Sequence, residues 1–535
     1  MPDLFHTLLL DSCAKTPQAP ALRYQSKDTD YASLLRQVKQ LASGYLNQGI
    51  ARSERIAIYL EKRPEAVIAM FAASAASAAF VPVNPLLKAE QVAYILADCN
   101  VKILVTSAQR LRSLTQVLAT CPDLHSIIVL DTETLDQLEL AATIQSLTWA
   151  QALVAAELAP AAPAAVPCID VDMAAILYTS GSTGKPKGVV LSHRNLLAGA
   201  ASVAGYLHNQ SSDRILAVLP LSFDYGLSQV TTALSVGACV VLMNYLMPQD
   251  IVRAVASENI TGLAAVPPLW LLLAQQKWPA VSALRYLTNS GGAMPKTTLE
   301  ALRALFPSAK IYLMYGLTEA FRSSYLDPEE LDARPDSIGK AIPGAELIVM
   351  NQQGQVCAAN EAGELVHRGA LVALGYWNDV EKTAERFRPL PPRLAGLPLP
   401  EIAVWSGDTV RMDEQGYLYF IGREDDMIKV SGYRISPSEV EEVVADYLAL
   451  NELAAVGVPH PQLGQAIVLV LKQNAQQSLQ AEAIRQHCQQ KLPGYMQPAH
   501  IQIVAENLPR NANGKIDRKS LQAQFQNIFL ASEQA

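Results

Sequence analysis

The chain has 535 residues and a formal net charge of −8, with 50% hydrophobic and 17% charged residues. This composition supplies apolar surface for large packed domains, and the charge gives no electrostatic reason to expect nucleic acid or an anionic membrane as the main partner. Seven cysteines are scattered, odd in number and never spaced as Cys-x-x-Cys, which argues against a disulfide framework and a zinc site.

Asp3, His6 and Asp11 interrupt the first apolar run and no basic segment precedes it, so no signal peptide is expected. Apolar runs at 55–60, 79–83, 102–106 and 126–130 alternate with helix-length stretches, the pattern of a parallel sheet. Residues 66–83 carry no charge for 18 positions, the lower limit for a membrane span. Ser74, Ser77 and Pro82 favour instead a buried helix over 64–77 followed by a strand at 79–83. The Ala/Pro-rich piece 153–167 reads as a surface connection and 389–400 as a loop insertion.

A polar joint at 422–429 separates a strand at 417–421 from a compact remainder of about 110 residues. Ser436-Pro437-Ser438-Glu439 reads as a capping box opening a helix that runs through 444–447. Strands near 454–458 and 466–471 and a helix near 481–491 complete a small α+β domain. The predicted fold is thus α/β, with a large N-terminal domain at 1–424 and a small one at 425–535.

The densest chemical signal is Tyr178-Thr179-Ser180-Gly181-Ser182-Thr183-Gly184-Lys185-Pro186-Lys187-Gly188. Glycines let successive N–H groups turn toward one anion, while hydroxyls and ammonium groups add donors, so the loop suits a triphosphate. Residues 173–178 read as the strand before it and Ser192 with Asn195 as a helix start, which predicts a strand, a loop and a helix N-terminus around one anion. The common P-loop is excluded: only two residues separate Gly181 from Gly184, and Pro186 holds Lys185 extended.

This loop closely resembles the signature of the adenylate-forming superfamily of acyl-CoA synthetases, adenylation domains and firefly luciferase, and similar blocks recur from 79–85 to 508–521. The resemblance implies a short hinge and a mobile C-terminal lid. It also implies a cytoplasmic ligase that uses ATP and Mg²⁺ to make an acyl-adenylate, then passes the acyl group to the thiol of coenzyme A or of a carrier protein's phosphopantetheine.

By the same resemblance Thr179, Ser180, Gly181, Ser182, Thr183, Gly184 and Lys185 hold the phosphates. Gly291, Gly292 and Ala293 run against the adenine, Tyr315 packs on it beside Gly316, Thr318 bonds the α-phosphate, and Glu319 holds the metal. Asp408 and Arg423 bind the ribose, with Ser406 in place of the usual threonine. Lys515 bridges the acid and the α-phosphate as charge builds, and Asp425 is the hinge. Lys429, Gly432 and Arg434 face the pantetheine tunnel in the thioester-forming state, and Ser436 stands where relatives often carry Glu or Asp.

The resemblance also implies that the acid pocket comes from 223–229, 266–270 and 289–293, with Phe223, Asp224 and Trp270 as substrate contacts. Amino-acid-activating relatives often place an Asp after this Phe to receive the α-ammonium, whereas many fatty and aryl acyl-CoA synthetases show an aromatic or His with the following Tyr-Gly-Leu. A buried carboxylate without a cation is costly, so Asp224 either meets an ammonium or faces away. An amino acid is slightly favoured over a simple acyl chain. The alternative from another class is a nucleotide-binding protein that has lost catalysis. The expected partners are the acid and a separate thiol acceptor, with no nucleic acid and no membrane span.

Overall fold

The computed structural model describes residues 3–134, 144–158, 165–179, 186–391, 398–423, 427–448, 452–473, 480–510 and 516–529. The first run of predicted strands forms as Arg55–Tyr59, Ala79–Pro82, Val101–Ser107 and Ser126–Leu130, all parallel, in an eight-stranded sheet that also takes in Met173–Thr179. A nine-stranded sheet, parallel through its centre, includes Tyr286–Asn289 and Lys310–Leu317. An antiparallel five-stranded sheet built on Ala362–Gly369 and Ile402–Met412 completes the N-terminal part. The small C-terminal part has its own five-stranded sheet, including Leu453–His460 and Gly464–Lys472, crossed by helices Pro437–Leu448 and Ala481–Lys491.

Residues 66–83 form the buried helix and strand read from the sequence. In helix Pro64–Ala75 every residue from Ala66 to Ser74 is buried, as expected for a helix apolar all round. It sits in one core cluster that takes Ile56 and Phe80 from the eight-stranded sheet and Leu22 and Val240 from the nine-stranded one. No helix among the described residues is long and apolar enough to cross a membrane. All seven cysteines are unpaired.

Three local expectations need correction. The first six residues of the piece expected as a surface connection at 153–167 are the end of a helix, Trp149–Leu158, and 159–164 lie outside the described residues. Alanine is a strong helix former, and Gly44 lets this helix approach its neighbour so closely that a Cβ there would lie 2.5 Å from the Ala152 carbonyl oxygen. The capping box at Ser436 is also not made. The helix begins with Pro437 as predicted, but the buried Ser436 hydroxyl has no hydrogen-bond partner among the described residues and the Glu439 N–H bonds the Ser436 carbonyl instead.

The third correction concerns the glycine loop. An unforeseen strand, Lys187–Ser192, separates it from helix His193–Tyr206 and pairs antiparallel with Met173–Thr179. Thr179 and Lys187 pair at the loop end of this hairpin and Met173 and Ser192 at the other. Six residues at ~3.3 Å each put the helix N-terminus about 20 Å from the loop, so no helix N-terminus serves it from that side. Ser192 still caps its helix reciprocally with Asn195, as the sequence indicated.

Helix Asp224–Val236 is placed by a close approach. A Cβ on Gly226 would stand 1.9 Å from the Pro220 carbonyl oxygen. Gly226→Ala therefore forces the helix start off its seat, and a urea melt should show a loss of about 2–4 kcal/mol of stability.

Candidate active site

The cleft is assembled from segments far apart in sequence. Tyr315 and Gly316 end strand Lys310–Leu317, and Thr318, Glu319 and Ala320 turn the chain into the antiparallel strand Phe321–Leu326. Gly316 is required there, because a Cβ would lie 2.2 Å from the Phe321 carbonyl oxygen. Glu319 accepts a hydrogen bond at Oε1 from the Tyr376 hydroxyl at 2.6 Å. Tyr376 belongs to the short strand paired with Lys187–Ser192, and the Lys187 ammonium lies 5.4 Å from its ring centroid. The expected metal ligand is thus tied to the strand leaving the glycine loop. Burial lowers the pKa of Lys187.

Tyr315 donates its hydroxyl to Asp408 Oδ2 from the other side. Asp408 is buried, and its N–H donates to Ser406 Oγ, so the hydroxyl that replaces threonine's is in use. Asp408 stands directly opposite Arg423 in the antiparallel ladder, which gives the two ribose candidates one location. The turn after strand Tyr286–Asn289 carries Gly291 at φ 83°, with Gly292 against Pro267; Gly291 and Ala293 are exposed. Thr179 ends its strand half-buried at the loop mouth. Ser180, Gly181, Ser182, Thr183, Gly184, Lys185, Asp425 and Lys515 lie outside the described residues, as does the Arg423 side chain.

Among the described residues no group of three or more His, Cys, Asp or Glu converges as a metal cage. A lone carboxylate such as Glu319 fits a hard cation that takes its remaining ligands from phosphate and water oxygens.

In the acid region, Phe223 precedes helix Asp224–Val236 and Asp224 is its first residue. The Asp224 carboxylate accepts a 2.9 Å hydrogen bond at Oδ2 from Arg322 Nη1, whose guanidinium also covers the Tyr225 ring at 4.2 Å. The expectation of an ammonium or an outward-facing group omitted this third outcome, a cation from the chain itself. Nothing local in sequence announces a partner 98 residues away. Trp270 is fully buried, with its indole N–H on the Thr288 carbonyl at 3.1 Å, so it backs the pocket wall and has no surface open to a substrate.

The C-terminal part reaches this region with the turn between Ile428–Val430 and Tyr433–Ile435, where Ser431 and Gly432 take φ 49° and 85°. A Cβ on Gly432 would stand 2.8 Å from Val266 Cγ1. Tyr433 meets Phe223 edge-on at 4.7 Å and stacks on Tyr495 at 3.7 Å. Lys491 pairs with Glu90 at 2.5 Å across the same junction.

Behind Tyr315 lies the buried His367, its ring centroid 6.1 Å away. Neither of its nitrogens has a hydrogen-bond partner among the described residues, and burial lowers its pKa from 6.5 to about 4. The unfolded chain takes up this proton below pH 6.5 and the folded one only near 4, so stability present above 6.5 is lost as pH falls through that window. His367→Leu should flatten the decline, giving a shallower fall of melting temperature from pH 6.5 to 4 than in the parent.

Comparison with known proteins identifies the family. The AMP-binding enzyme model matches residues 9–377, and the AMP-binding enzyme C-terminal domain model matches 439–515. A linear gramicidin synthase of Brevibacillus parabrevis is 30% identical over 97% of this chain, which spans only 10% of that protein's length. An L-proline–[L-prolyl-carrier protein] ligase of Pseudomonas fluorescens is 29% identical, covering 98% of this chain and 99% of its own. The fold matches o-succinylbenzoate CoA synthetase from Bacillus subtilis at a TM-score of 0.83, with 24% identity over 97% of this chain and 98% of that one. The chain belongs to the AMP-binding enzyme family.

Proposed function

We propose that this chain is an AMP-forming acid–thiol ligase of the cytoplasm. A carboxylate oxygen of the acid attacks the α-phosphorus of ATP, the bond to pyrophosphate breaks, and an acyl-adenylate forms. The thiol of coenzyme A or of a carrier protein's phosphopantetheine, losing its proton, then attacks the acyl carbon, and AMP leaves with the bonding electrons. The observation that carries the reading is the tie between Glu319, Tyr376 and Lys187, which brings the exit of the phosphate-type loop to the carboxylate best placed for Mg²⁺. Bound there, Mg²⁺ would neutralise phosphate charge.

The protein's own groups supply the rest. Thr179, the residues 180–185, Thr318 and Lys515 neutralise and align the two anions, while Tyr315 with Gly291, Gly292 and Ala293 encloses the base and Asp408 with Arg423 the sugar. The domain boundary falls between 424 and 425 with Asp425 as hinge. The contact of Gly432 with Val266 supports a lid face that guides the thiol to the acid pocket.

An amino acid is the slightly favoured substrate, supported by the similarity to the prolyl-carrier ligase along both whole chains. Arg322 on Asp224 favours the second reading, a fatty or aryl acyl-CoA synthetase, since the carboxylate already has a cation. Acid-dependent pyrophosphate release over the twenty amino acids, a fatty-acid ladder and several aryl acids distinguishes the two. Lys515→Ala should lower adenylation by about 10²–10³-fold while ATP affinity and thiol transfer from supplied acyl-AMP persist. No release with any acid would leave a nucleotide-binding protein without catalysis and overturn the proposal.

A further inference from the structure

Helix Ala89–Asp98 belongs to no motif read from the sequence, yet it touches both stems of the glycine loop. Its apolar face, Val92, Ala93, Ile95 and Leu96, is buried in one cluster with Val101, Leu104 and Ile176, which fixes the helix to the eight-stranded sheet. Tyr94 and Asp98, about one turn apart, then bond one stem each. Asp98 Oδ2 accepts from the Tyr178 hydroxyl at 2.5 Å, one residue before Thr179 on the entering strand. The Tyr94 hydroxyl donates to the Pro186 carbonyl at 3.3 Å, one residue before the leaving strand begins at Lys187. Burial raises the pKa of Tyr178, so its hydroxyl keeps the proton it donates.

Asp98 reaches the leaving strand as well. Its backbone carbonyl, an orphan at the helix end, accepts from Trp377 Nε1 and Asn378 Nδ2, each at 2.9 Å. The Trp377 N–H in turn donates to the Gly188 carbonyl at 2.7 Å. Gly188 pairs with Tyr178 across the hairpin, where a Cβ would lie 3.2 Å from Tyr178 Cζ and 3.3 Å from Trp377 Cβ. Trp377 follows Tyr376, the donor to Glu319. Asp98 is therefore the point through which the two stems and the segment holding Glu319 are tied together. Apolar packing would keep these segments close, whereas hydrogen bonds to a carboxylate also fix their direction.

Resting on the ligase reading, we propose that Asp98 and Tyr94 are positioning residues for adenylation, holding the two stems so that the loop meets the triphosphate in line with the attacking acid. Neither side chain touches ATP. Asp98 acts through Tyr178 and Trp377, and Tyr94 through Pro186. A phosphate displaced by ~1 Å from the in-line geometry costs about 10²-fold in rate.

The test measures the two half-reactions separately: ATP–pyrophosphate exchange with the acid of the panel that the parent activates fastest, and transfer from that acid's chemically supplied adenylate to pantetheine. Tyr178→Phe and Asp98→Ala should lower kcat for exchange by about 30–100-fold with KM for ATP within about threefold, since base and sugar contacts hold ATP in the ground state. Tyr94→Phe, which loses the longer bond, should cost about three- to tenfold. Asp98→Asn keeps an acceptor for the Tyr178 hydroxyl and should bring exchange back to within about threefold of the parent. Transfer from the adenylate, which has no β- or γ-phosphate, should stay within about twofold of the parent in all four. The two Tyr→Phe variants delete one oxygen each and decide the matter should Asp98→Ala not fold. A parallel fall of both half-reactions with melting temperature would make the ties merely structural, and parent-like exchange in Tyr178→Phe would show that the stems need no such hold. Either result overturns this inference and leaves the ligase reading intact. A parent that activates no acid would instead fail the ligase reading and take the inference with it.

Discussion

A carboxylate removed from water must be given donors, and this cleft is organised around three that are. Asp408 is held by Tyr315, Glu319 by Tyr376 and Asp224 by Arg322, and each donor comes from a segment remote in sequence. Each pair ties two segments of the cleft: two strands at Asp408, a turn and a strand at Glu319, and a helix start and a strand at Asp224. Removing a donor from a carboxylate partly or wholly withdrawn from water costs more than the deleted contact alone. The charges that the proposed chemistry would use therefore also help to fix the elements that carry them.

The two parts of the chain meet where that arrangement opens to the acid region. Gly432 at φ 85° brings the C-terminal hairpin within contact of Val266, and Tyr433 lies between Phe223 and Tyr495. The turn, the aromatic stack and exposed pairs such as Lys491 with Glu90 bind it there, and an exposed pair contributes about 0–1 kcal/mol. An interface so built separates readily, which is what the proposed lid movement would require.

The sequence made periodic elements legible and long-range partners illegible. Strand Ser126–Leu130 and helix Ala481–Lys491 fall at the expected residues because their apolar spacing and boundaries are local properties. Strand Lys187–Ser192 escapes a sequence reading because Gly188 and the nearby lysines read as loop, although Val189, Val190 and Leu191 carry a strand signal. The Ser436 cap fails because the Glu439 N–H that it would take bonds the Ser436 carbonyl, and the buried hydroxyl has no partner among the described residues. Tyr376 and Arg322 lie outside every recognised motif, so nothing short of the folded chain connects them with Glu319 and Asp224.

Arg322 weakens the amino-acid reading without removing it, and simple electrostatics shows why. At an effective dielectric of about 20, an ammonium ~3 Å from a carboxylate gains about 5.5 kcal/mol, and at ~5 Å from a guanidinium it loses about 3.3. A margin of roughly 2 kcal/mol survives, provided the ammonium approaches the carboxylate from the side away from the guanidinium. Arg322 binds Oδ2, so that side is Oδ1. A chain with Asp224 unpaired would bind an ammonium more strongly but would bury a bare carboxylate whenever the pocket held no amino acid. The arginine thus exchanges part of the selectivity for an α-ammonium against a pocket that stays folded and neutral without substrate. That places more of the discrimination between acids on the groups that surround the rest of the acid.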